Sequence, residues 1–298
     1  TTILDSTNNN LTPAGASITL GNIKAAVTGS TAAGLTIKAG SAGVITLTNV
    51  GDSNGIGSFT VSTASAVSAA GSITVVGTAS AGGKVTITQP IKLAANLAIA
   101  TTGSSATAGN VITLGNVDAG SGAETLTINA GTAGSINLAV IGGTTAIGGL
   151  VVGSGSKLTP SGNIIVRGNI AGAGSISISP AITLVAGISP VFSTTGAAVA
   201  AGNNIILGNV NAATATTAAE SITLYAGTGG NITLGVMGAS TALGVVNITS
   251  ASKVTLSGNI SVRSGATAGG SIALAPATVL AVSGINLISC LLYTSPSP

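Results

Sequence analysis

The sequence contains no histidine and no tryptophan, and only one cysteine, one methionine, two tyrosines and two phenylalanines in 298 residues. Each absence removes a class of chemistry. Without histidine there is no imidazole to serve as acid, base or metal ligand near neutral pH. The lone cysteine, Cys290, cannot close an intrachain disulfide. Four aromatic rings cannot fill the core of a β-sandwich, about 10 Å thick, nor form the interfacial girdles of a membrane barrel. Charge is just as scarce. Charged residues make up 4% of the chain, against about 25% in an ordinary globular domain. The net charge of +3 has no run of like sign behind it, so steering of a polyanion is weak. No apolar run approaches the ~20 residues of a spanning helix. The expectation is a chain with no nucleic-acid partner, no membrane-spanning segment, no metal and no cofactor.

What the chain has is small aliphatic residues and glycine. Hydrophobic residues reach 45%, and there are 45 glycines. That balance is opposite to the low hydrophobicity and high charge of disordered chains. Burial falls to Ile, Val, Leu and Ala, which predicts a narrow core with backbone on every side. Short runs alternate apolar with polar residues, as in Ile18-Thr19-Leu20, Val85-Thr86-Ile87, Ile176-Ser177-Ile178 and Ile260-Ser261-Val262, the period of half-buried strands. No window of a dozen residues carries a helical apolar stripe, and the glycines penalise helix heavily. The fold class is all-β.

The strands come in repeating order. GNVITLGNV (109–117) has copies at 15–23 (GASITLGNI) and 203–210 (NNIILGNV). The glycines after the strand, Gly21, Gly115 and Gly208, are 115 − 21 = 94 and 208 − 115 = 93 residues apart. A second block recurs as LTIKAGSAGVITL (35–47), LTINAGTAGSINL (126–138) and ITLYAGTGGNITL (222–234). Two further blocks follow in the same order three times, which marks a repeat architecture. The units span approximately 15–108, 109–201 and 202–289, behind a loop or incomplete first coil at 1–14. A propeller blade would need an aromatic signature of its own. A right-handed parallel β-helix (β-solenoid) fits best, as one continuous body over 15–289 with about a dozen coils of roughly 20–28 residues. The Gly-Asn pairs at 21–22, 115–116 and 208–209 fall at strand ends, where asparagine stacks as a ladder and satisfies turn backbone. Residues 290–298 (CLLYTSPSP) break the pattern and resemble the in-frame translation of a sequencing-library adapter. They are set aside as non-native, and the chain reads as an internal fragment of a longer protein.

The cadence GNITL, AGTGGNITL, SGNISV across residues 15–287 resembles the passenger regions of filamentous-haemagglutinin-type adhesins and autotransporters. The resemblance implies a secreted protein on the bacterial outer surface. In that reading this stretch is a non-catalytic stalk, holding a region that binds a glycan or protein on a host or neighbouring cell. The alternative is a structural filament or surface-layer component that self-associates end to end.

Few residues suggest a site. Lys157 and Arg167 recur 96 residues on as Lys253 and Arg263 (253 − 157 = 96; 263 − 167 = 96). If equal offsets put equivalent residues on one face, the four form a basic stripe able to engage anionic glycans. The plainer reading is a solvated face kept soluble by sparse charge, and Val67 and Val76 stand near the matching places of the first unit. Glu124 and Glu220 also recur at 96, each before a strand. Solenoid glycosidases need converging carboxylates, and five scattered acids do not promise them, so no catalytic residue is assigned. Thr19 and Thr113 give way to Ile206 in the third copy, which argues against a flat ice-binding lattice of threonines.

Overall fold

A computed structural model describes residues 1–26, 34–52, 54–76, 83–103, 107–168, 174–213, 220–263 and 270–290. All but the first residue of the adapter-like tail lies outside them. The chain is a stack of short parallel strands forming a β-solenoid of about nine turns, with 2% helix. Parallel neighbours about 4.8 Å apart make this a rod on the order of 45 Å long.

Three ladders run along the rod, and each turn of the chain contributes one strand to each. The first passes through Leu35, Phe59, Val85, Ile112, Ile136, Leu158, Ile182 and Val210. The second passes through Ile45, Val67, Ile91 and Val117. Bridges through Ile141 and Ile164 carry it on to Phe192, Leu224 and Ile248. The third passes through Leu97, Leu126, Leu150, Ile176, Ile205, Ile232 and Val254. All of these side chains are buried in one continuous core. Their alternation with outward Thr, Ser and Asn is the period-two pattern of the sequence. Phe59 and Phe192, each fully buried, replace an aliphatic rung between Leu35 and Val85 and between Ile164 and Leu224.

About nine turns stand where the repeat arithmetic predicts about a dozen coils. Turns are longer than expected: they run from 158 − 136 = 22 residues between Ile136 and Leu158 to 224 − 192 = 32 between Phe192 and Leu224, in place of the expected 20–28.

The repeat and the turn are out of step. From Leu35 the chain visits ladder positions Ile45, Val50, Phe59, Val67, Ile73, Val85, Ile91, Ile99, Ile112 and Val117 before Leu126. That is eleven steps around a three-sided coil, or 11/3 turns. A repeat mate therefore falls one ladder short of four full turns. Leu35 lies in the first ladder, Leu126 in the third, and Ile222, on the same strand as Leu224, in the second.

Two devices hold successive turns together. Asparagines accept hydrogen bonds from the backbone one turn later: Val140 N–H donates to Asn116 Oδ1 (3.2 Å) and Val236 N–H to Asn209 Oδ1 (2.9 Å). Asn49 Nδ2 donates to Asn22 Oδ1 (3.1 Å), a side-chain ladder of the expected kind. Glycines allow the closest approaches. Gly109 (φ +62°) sits so near the Ala130 carbonyl that a Cβ would lie 1.8 Å from its oxygen, and Gly131 (φ +75°) faces it. Left-handed backbone with no room for a Cβ admits only glycine. The same pairing recurs as Gly15 with Gly40 and Gly202 with Gly227.

Candidate functional site

The four basic residues do not share a face. Lys157 pairs with Ser135 in the first ladder and Lys253 with Asn231 in the third. Arg167 follows Val166 at the end of a second-ladder segment, and Arg263 pairs with Cys290 on a first-ladder strand. The stripe rested on equal offsets keeping equal faces, and the eleven-step repeat breaks that premise. Lys157, Arg167 and Lys253 are separately exposed, and Arg263 is half-buried.

Glu124 and Glu220 are turn anchors. Glu124 is 9% exposed. Its carboxylate accepts from the Ser121 hydroxyl (2.6 Å) and from the Ser121 and Gly122 N–H groups (3.0 Å each). Desolvation raises its pKa, but these hydrogen bonds outweigh it and hold the group at about 2. Glu220, 2% exposed, accepts from Gly187 N–H (3.2 Å) and Ala213 N–H (2.9 Å). Both carboxylates are spent on backbone donors, as is Asp118 on Thr144 and Thr145 N–H (2.7 and 3.0 Å). Among the described residues no three His, Cys, Asp or Glu side chains group together as metal ligands.

Buried hydroxyls form another repeated feature, which the sequence reading missed. Thr101 Oγ1 accepts from Asn110 N–H (2.9 Å) and lies 3.0 Å from the Asn110 and Ala130 carbonyls to which it donates. Thr194 does the same with Asn203 N–H (2.9 Å) and the Asn203 carbonyl (2.7 Å). Ahead of the first unit, the half-buried Ser6 Oγ bonds the N–H and carbonyl of Ala16 in the same way (2.9 and 2.8 Å). Each hydroxyl closes the neck of a loop that leaves the coil. The sequence signal is a hydroxyl eleven or twelve residues before the repeat's opening strand (112 − 101 = 11, 205 − 194 = 11 and 18 − 6 = 12), hidden by the Ser/Thr change.

The loop above Thr194 builds a groove. Its short 3-10 turn, Gly196–Ala198, places Ala197 and Ala198 at φ +57° and +59°. Gly196 donates to the Val166 carbonyl (3.0 Å) and lies so close to Ala146 that a Cβ would meet it at 2.6 Å. Between this loop, the Gly142–Ala146 turn and the outer surface of the second ladder lies a groove of about 440 Å³. Ile165, Ser193 and Tyr225 occupy outward positions of three successive turns on its floor and side. Thr144 and Thr195 stand on its walls. The Ser193 and Thr195 hydroxyls are 2.8 Å apart, and Thr195 N–H donates to Ser193 Oγ (3.1 Å). No charged side chain lines the groove. The Arg167 guanidinium lies instead against the Gly122 turn.

Comparison with known protein families, with curated proteins and with solved structures yields no match to this chain. The fold and its geometry are therefore what bears on function.

Proposed function

We propose that this chain is a non-catalytic stalk segment of a secreted bacterial surface adhesin, a stiff spacer that carries a binding region away from the cell. The observation behind this reading is the continuous aliphatic core through about nine stacked turns. Around it, the Glu124, Glu220 and Asp118 carboxylates are engaged by backbone donors rather than converging on a cleft. Extending the coding sequence in both directions tests it. Further coils with a secretion domain before them or a membrane barrel after them are expected. Flanking segments that encode a soluble cytoplasmic enzyme would overturn it.

A further inference from the structure

We propose that the groove beside Tyr225 is a binding site for a neutral saccharide, so that this segment is itself a recognition surface. The inference does not depend on the stalk reading. It rests on four features of the groove.

The first is the ring. Phe59 and Phe192 are wholly buried, which leaves Tyr225 as the one aromatic side chain with accessible surface among the described residues outside the tail. It stands at the outward position that Lys38 and Asn129 occupy in the other units. A tyrosine ring offers an apolar face with a polar tip, which suits the C–H face of a pyranose edged by hydroxyls.

The second is the hydroxyl pair. Ser193 and Thr195 share one hydrogen bond, and whichever atom donates it, the other hydroxyl hydrogen remains for a ligand. Thr144 adds a further donor and acceptor on the opposite wall.

The third is the lack of charge. A sulfated or sialylated sugar would need a cation in the lining, and Arg167 is turned away from it. The fourth concerns peptides. The strands on the floor are already paired on both sides, Phe192 with Ile164 and Leu224, so no free edge remains for an extended chain to join. The volume of about 440 Å³ lies within the ordinary range of small-ligand sites.

The test is binding of the full chain to a panel of neutral galactose-, glucose- and mannose-terminated oligosaccharides beside sialylated and sulfated ones. Saturation-transfer NMR and tyrosine fluorescence are the readouts. Tyr225→Asn installs the residue that the second unit carries at this position, so it preserves the coil, and circular dichroism checks that it does. The expected result is binding of at least one neutral sugar, weakened tenfold or more by Tyr225→Asn, retained by Tyr225→Phe, and reduced by Ser193→Ala with Thr195→Val. Binding confined to anionic sugars, neutral binding indifferent to Tyr225→Asn, or no binding across the panel would each overturn the proposal.

Discussion

Thr101 and Thr194 make the same hydrogen-bonded neck 194 − 101 = 93 residues apart, but Thr101 follows the third ladder at Ile99 and Thr194 follows the second at Phe192. One motif is thus shown on different sides of the rod. Anything carried at the repeat period winds around this solenoid, because 11/3 turns per unit leaves each copy one ladder short of four full turns.

The two threonines also permit a clean stability test. Thr101→Val and Thr194→Val keep shape but strand a buried N–H and carbonyl, which costs about 1–3 kcal/mol each. The sites share no partner, so the double variant should lose the sum of the two. Urea unfolding monitored by circular dichroism measures this, and Ser at either site should restore most of the loss.

Glu124 predicts a pH dependence. Its folded pKa of about 2 lies below the ordinary 4.5. A depressed carboxylate contributes stability that is present above about 4.5 and is lost as pH falls toward 2. Between pH 5 and 2 the native chain should therefore lose more stability than Glu124→Gln, measured as the shift in urea midpoint. Equal losses in the two proteins would remove Glu124 as the anchor of its turn.

Glycines of the same repeat should respond very differently to alanine. Gly109→Ala places a Cβ 1.8 Å from the Ala130 oxygen on left-handed backbone. It should cost about 2–4 kcal/mol. Gly21 has open space around its Cβ direction, and Gly21→Ala should fall within about 0.5 kcal/mol of neutral. Thermal unfolding of the two variants side by side checks the contrast.

The strands were legible in the sequence because burial alternates residue by residue, so Ile112-Thr113-Leu114 announces its own inward and outward sides. The Gly-Asn turns were legible for a similar reason, since the backbone demand they meet is local. The phase of the repeat was not. It depends on how many residues each turn spends in loops, which runs from 158 − 136 = 22 between Ile136 and Leu158 to 224 − 192 = 32 between Phe192 and Leu224. No sequence offset records that sum, and the supposed stripe of Lys157, Arg167, Lys253 and Arg263 failed on it. The groove was hidden likewise: Ile165, Ser193 and Tyr225 meet only because successive turns stack. The one available signal was a tyrosine at an outward strand position in a chain almost without aromatics.

Cysteine cross-linking tests the out-of-step solenoid most directly. In a Cys290→Ser background, Ala98→Cys with Thr127→Cys joins residues one turn apart on the third ladder, although Thr36, the repeat mate of Thr127, lies in the first. Thr113→Cys with Thr127→Cys joins residues of the first and third ladders, which an in-step repeat would bring into one ladder. The account predicts an oxidised intrachain link, mapped by peptide mass, in the first pair and none in the second. A link between positions 113 and 127, or none between 98 and 127, would contradict it.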